Sequence, residues 1–155
     1  MLVVSIRPRY VWKMLQGEKT VELRRRQPRC KAGDWIAIYA TRPNQVLVGV
    51  ARVVEVKTAT PRCLWQAVGA VAGISRADYE SYFEGAKQAV GIVVEQPVEF
   101  VRHVPLTELR QAWPRFSPPQ SFRYLSDEEA ETVLSWAGLL PEPTTPARWP
   151  GTCSP

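Results

Sequence analysis

The sequence predicts an α+β domain in which about six short strands form a small, closed or partly closed barrel with helices packed outside it. Three observations lead there. Short β-branched runs recur between turn residues. Capping residues open several helical segments among them. The chain has 155 residues, enough for one hydrophobic core and few for two.

Leu2–Ile6 reads as a short buried strand. Pro8 suits the first helical turn, Tyr10, Val11, Met14 and Leu15 follow at helical spacing, and Gly17 is a stop. Thr20–Arg24 alternates as a half-buried strand. Val21 and Leu23 are expected to face the core, with Glu22, Arg24 and Thr20 on the opposite face. A turn at Ala32-Gly33-Asp34 leads into a strand over Trp35–Ala40, with Ile36 and Ile38 facing one way and Tyr39 the other. Val46–Lys57 is a long β-branched run, expected to bend near Gly49. Thr60-Pro61 opens a helix carrying Leu64, Trp65 and Val68. Ser75-Arg76-Ala77-Asp78 caps another, running through Tyr82. Strands over Ala89–Glu95 and Val98–Val104 and a short helix over Leu106–Ala112 come next. Pro118–Tyr124 reads as an extended, aromatic-rich loop, and Ser126-Asp127-Glu128-Glu129 caps a last helix to about Trp136. The domain is expected to span 1–140. Residues 141–155 hold five prolines and read as a disordered tail.

Hydrophobic residues make up 45% and charged residues 23%, as in an ordinary globular protein. No apolar run approaches the ~20 residues that cross a bilayer, so no membrane span is expected. The start places apolar residues before basic ones, the reverse of a signal peptide. Cys30, Cys63 and Cys153 are odd in number and scattered, which points to reduced thiols and a cytoplasmic protein. They form no C-x-x-C pair and His103 is the single histidine, so neither a metal site nor a cofactor is expected.

Charge is concentrated at one end. The net charge is +5, yet residues 1–31 hold nine basic residues against two acidic ones, a local charge of +7. The remaining 124 residues carry −2. A positive field confined to one region favours a polyanion, most often nucleic acid. A solvated basic face is the plainer explanation of the same charges. Within Gly17–Arg26, a carboxylate at Glu22 among so many cations is an acceptor suited to the amino edge of a base.

Several segments, in this order, resemble the ASCH domain of the PUA-like superfamily. They are Ser5-Ile6-Arg7-Pro8-Arg9-Tyr10, Leu15-Gln16-Gly17-Glu18-Lys19-Thr20-Val21-Glu22-Leu23-Arg24-Arg25, Gly33-Asp34 and Ile38-Tyr39-Ala40. Phe83-Glu84-Gly85 and Pro119–Leu125 resemble a longer branch of the family, and the likeness covers about residues 1–136. It implies a β-barrel surrounded by helices, and a basic cleft beside the barrel that binds RNA or another nucleic acid, in some members for regulation. Carried over, the cleft would hold Ser5, Arg7, Lys19, Glu22, Arg24, Tyr39, Gln120, Ser121, Arg123 and Tyr124, and strand alternation and charge add Thr20 and Arg26. Tyr39 and Tyr124 would stack an unpaired base, and the arginines would attract phosphate.

The alternative is a small hydrolase acting on an acetylated nucleoside or on RNA, with Lys19 and Glu22 as its catalytic pair. A related branch places a threonine nucleophile where this chain has Glu22, and a carboxylate replaces a hydroxyl poorly in acyl transfer. A protein-interaction module with a basic face is the third reading. Of the three, the expectation is a nucleic-acid-binding module rather than an enzyme.

Overall fold

The computed structural model describes residues 1–139, and the expected tail at 141–155 lies outside them. The described residues form seven strands and five α-helices. Strand β1 is Leu2–Ile6, helix α1 Pro8–Leu15, β2 Val21–Arg24, β3 Trp35–Ala40 and β4 Val46–Ala59. Helix α2 is Pro61–Val68 and α3 is Arg76–Tyr82, joined through a 3-10 turn at Gly69–Val71. Strands β5 (Ala89–Val94) and β6 (Val98–Pro105), helix α4 (Leu106–Ala112), strand β7 (Phe122–Tyr124) and helix α5 (Asp127–Trp136) follow in the described residues.

The strands join in the order β2-β5-β4-β3-β1-β7, with β6 attached to β4. Strands β1 and β3 run parallel, and the other ladders are antiparallel. The architecture is thus α+β with a mixed sheet. The pairing path is not closed, because no ladder joins β2 to β7 among the described residues. Strand β4 holds the sheet together. Its first half pairs with both β3 and β6, and its second half with β5. The register slips beside Gly49 on both sides of β4, where the sequence predicts the bend. A side chain at Gly49 would stand 2.4 Å from the Val98 carbonyl oxygen, so the two strands approach this closely only over glycine.

Residues 122–124 correct the sequence reading. They form a strand rather than a loop, paired antiparallel with Leu2–Val4. Three residues are too few to show a period of two, and the open edge of β1 supplies the hydrogen bonds that order them.

Three apolar clusters follow from the alternation of the strands. Leu2, Val4, Ile36, Ile38, Val48, Val90 and Ile92 form the first, and α1 covers it with Val11 and Met14. The opposite face of β1, β3 and β4 packs Val3, Ala37, Tyr39 and Leu47 under α4 and α5. Strand β2 turns Val21 and Leu23 outward, against Leu64 and Val68 of α2 and Tyr79 of α3. The hydroxyls of Thr60, Ser75 and Ser126 cap α2, α3 and α5 as their sequence positions predict, and Glu129 completes a capping box on α5. No helix among the described residues is long and apolar enough to cross a membrane.

Gly49→Ala is expected to lower stability by about 1–3 kcal/mol, because the added methyl forces β6 off β4. Thermal unfolding of the variant checks this, and an unchanged Tm would show that the two strands can separate freely.

Candidate nucleic-acid interface

Strand β2 carries the unusual chemistry. Glu22 is paired with Ile92 and Arg24 with Val90, so both charged side chains share the face of two first-cluster residues. The sequence reading put them on an exposed face, but both faces of β2 are covered. Lys19, Glu22 and Arg24 are 3%, 6% and 5% exposed, and they are the buried charged residues of the described chain. Charges survive at such positions only when paired and hydrogen-bonded.

Their pairing is nearly complete. Arg24 Nη2 lies 2.9 Å from Glu22 Oε1 and donates a 2.9 Å hydrogen bond to the carbonyl oxygen of Ser5. Lys19 Nζ lies 3.7 Å from Glu22 Oε2. It donates to the carbonyl oxygens of Val21 at 2.6 Å and Ala72 at 2.8 Å. Desolvation lowers the Lys19 pKa from its usual 10.5, and the Glu22 carboxylate offsets part of that effect. Two cations around one carboxylate leave a local charge of +1. Arg24 Nε has no partner although it is buried. A donor left unsatisfied beneath a cleft is a position where a ligand acceptor would be favoured.

The surrounding backbone is shaped to this group. Gly73 adopts a left-handed φ of +63°, and a Cβ there would lie 2.7 Å from Cβ of Lys19. Its carbonyl accepts from Lys13 Nζ at 3.1 Å. The segment before α3 therefore lies directly against the lysine stem.

Above the triad opens a cleft of about 450 Å³, bounded by α1, β2, α3 and the end of β1. Arg7, Arg9 and Tyr10 line it from the α1 side, and Asp78, Ser81 and Tyr82 from α3. The Arg9 guanidinium lies 4.6 Å over the Tyr10 ring, donates to the Tyr10 hydroxyl at 2.8 Å and stands 3.8 Å from Asp78. Tyr82 is 39% exposed and donates a long 3.4 Å hydrogen bond to the Leu23 carbonyl. Burial raises its pKa, and Arg24 pulls against that rise. Arg25 secures this end of α3 by donating to the carbonyls of Tyr82 and Glu84.

Six of the twelve residues expected in the cleft are brought together there: Ser5, Arg7, Lys19, Glu22, Arg24 and Gln120. The other six stand elsewhere. Thr20 serves the backbone, donating to the Val71 carbonyl and accepting from the Val94 amide. Arg26 is exposed beyond the end of β2. Tyr39 is 1% exposed in the second cluster, against Phe116, and its buried hydroxyl has no partner. The cause is the alternation of β3, which sends Tyr39 to the face opposite Ile36 and Ile38. The Ser121 carbonyl accepts from the Ser5 amide, which holds the segment carrying Gln120. Arg123 pairs with Glu129 and lies 5.0 Å over the Phe116 ring, anchoring α5. The Tyr124 hydroxyl accepts from the Arg29 amide at 2.6 Å. Tyr10 and Tyr82 are aromatics of the cleft lining that the expected set did not include, and Tyr82 is the more exposed. Tyr82 had no signal in the sequence. It reaches Leu23 across a separation of 59 residues, and no local pattern signals that approach.

The ASCH domain profile matches residues 4–102. The chain belongs to the ASCH domain family. It is 34% identical over 135 residues to a protein of Zymomonas mobilis subsp. mobilis named "ASCH domain-containing ribonuclease". That match spans 86% of this chain and 89% of the relative. The crystal structure of the Zymomonas mobilis ASCH protein superposes with a TM-score of 0.80 at 34% identity, covering 86% of this chain and 93% of that one. The N-terminal domain of McrB from Staphylothermus marinus shares the fold, with a TM-score of 0.53 at 12% identity over 86% of this chain and 92% of that one. Among the described residues of the present ASCH domain, no group of three His, Cys, Asp or Glu side chains is placed to hold a metal ion.

Because burial lowers the Lys19 pKa, the unfolded chain holds that proton to higher pH than the folded one. Stability attributable to Lys19 is therefore fullest above 10.5 and is lost as pH falls through the folded pKa. Denaturant unfolding of the wild type and Lys19→Met across the alkaline range should show the wild type gaining on the variant as pH rises. A difference that stays flat with pH would place Lys19 in water.

Proposed function

We propose that this chain binds single-stranded RNA by taking one unstacked nucleotide into the cleft. The observation that carries the reading is the buried Lys19–Glu22–Arg24 triad, which is net positive and lines the cleft. Arg7 and Arg9 on the α1 side supply phosphate attraction. Tyr82, the exposed aromatic of the cleft, offers a ring on which a base can stack. Glu22 supplies an acceptor for an amino or imino edge. RNA as the partner is supported by the relative named a ribonuclease, at 34% identity across most of both chains. A role in regulation is the reading carried over from the family likeness.

Cleavage of the bound RNA is the second reading, and the same relative's name favours it. The lowered pKa of Lys19 brings its neutral amine closer to the working range of a general base. Its ammonium donates to two carbonyls and faces a carboxylate, so it must first lose a proton, and with it one of these contacts, before its lone pair can accept a proton from a ribose hydroxyl.

Fluorescence anisotropy of a labelled single-stranded RNA over several salt concentrations, followed by mass spectrometry of the RNA, tests both readings. Arg7→Ala is expected to weaken binding to all sequences alike and to reduce the salt slope by about one. Tyr82→Ala is expected to cost about 1–3 kcal/mol of affinity through lost stacking. Glu22→Gln should blunt discrimination among bases more than overall affinity. Intact RNA after incubation supports binding alone, and shortened products support cleavage. Absence of binding at low salt would remove the cleft from RNA recognition.

A further inference from the structure

Helix α3 has two working faces. Asp78, Ser81 and Tyr82 face the cleft, while Arg76, Tyr79, Glu80 and Phe83 face a second groove of about 580 Å³. Pro61, Arg62, Trp65 and Gln66 of α2 form the other wall of that groove. The two depressions thus lie on either side of one short helix.

A run of four aromatic rings crosses the wall between them. Trp65 and Tyr79 have ring centroids 4.8 Å apart, Tyr79 and Phe83 4.7 Å, and Phe83 and Tyr82 4.7 Å. The series begins in the outer groove and ends in the cleft. Trp65 is half-buried and packs over Gly69, where a Cβ would lie 2.9 Å from its ring. The Tyr79 hydroxyl donates to the Pro61 carbonyl at 2.8 Å, which fixes α2 against α3. These rings are held by packing before any ligand arrives, so little ordering is left for binding to supply.

The groove is also basic. Arg62 is exposed, and no hydrogen bond or ion pair occupies its side chain among the described residues. Arg76 pairs with Glu80 at 2.8 Å, with both side chains well exposed. Exposed pairs of this kind contribute little, so a phosphate can take Arg76 from Glu80. A rigid aromatic beside two surface guanidiniums is the pairing that single-stranded nucleic acids use, with bases on rings and phosphates on cations.

We propose that the α2–α3 groove is a second nucleotide subsite, which takes a flanking nucleotide of the RNA strand held in the cleft. Its base lies against Trp65, and its phosphate lies between Arg62 and Arg76. The proposal rests on the cleft reading above and extends it from one nucleotide to a strand that crosses α3.

The test compares a nucleoside monophosphate with a short single-stranded RNA, each titrated against the wild type, Arg62→Glu, Arg76→Gln and Trp65→Ala. The two arginine variants change exposed side chains and leave the packing intact, so they keep the test valid if Trp65→Ala fails to fold. The wild type should bind the oligonucleotide at least about tenfold more tightly than the monophosphate. The arginine variants should lose most of that gain while their monophosphate affinity stays constant. Their oligonucleotide salt slope should fall by about one for each cation removed. An oligonucleotide bound no better than the monophosphate would overturn the subsite and leave the cleft standing. Equal oligonucleotide affinity in wild type and both arginine variants would do the same, leaving the groove to some other partner. Failure of the wild type to bind either probe would overturn the cleft and the subsite together.

Discussion

Glu22 lies between Lys19 and Arg24 on a sheet face where Glu22 opposes Ile92 and Arg24 opposes Val90, and none of the three charges could stay buried alone. Removing a partner would strand the others in a region of low dielectric, where an uncompensated charge is far more costly than on the surface. The group also commits backbone. Its donors take carbonyl oxygens of Val21 in β2, Ala72 before α3 and Ser5 in β1. Three segments distant in sequence are thereby tied to one point, and the cleft opens where they meet.

An apolar triplet would pack β2 against its neighbours without that penalty, so the charges are not explained by stability alone. A binding group held in place by its own network needs little reorganisation when an anion arrives. Its field is also stronger there than that of a solvated arginine. The arrangement separates two roles. Buried Arg24 and Glu22 sit where the chemistry of a base or phosphate could be read, whereas Arg7 and Arg9 sit nearer solvent, where long-range attraction operates.

Much of the scaffold was legible because it rests on local signals. The hydroxyls of Thr60, Ser75 and Ser126 marked helix starts, and alternation marked Trp35–Ala40 and its two faces. Lys19, Glu22 and Arg24 were legible as a group, since they are near in sequence and extraordinary in charge. Their burial was not. The pattern of β2 reads as one apolar and one solvated face, and only the approach of α2 and α3 on one side and of α1 near the other covers both. Tyr39 shows the converse. Its alternation pointed away from Ile36 and Ile38, while the family likeness drew it toward the cleft, and the alternation prevailed. Residues 122–124 form a strand because β1 offers an open edge, which no property of those three residues announces.

The amino-acid sequence by itself determined every strand and helix but the one at Phe122–Tyr124, that one region carries the positive charge, and which motif holds the unusual carboxylate. Periodicity, capping and charge are properties of neighbours along the chain, so they can be read there. The tertiary structure decided that the motif is buried, that Arg24 Nε is left unpaired, and that Tyr82 rather than Tyr39 or Tyr124 stands at the cleft. Those outcomes depend on desolvation and on contacts between segments some 60 residues apart, and both exist only once the elements have packed.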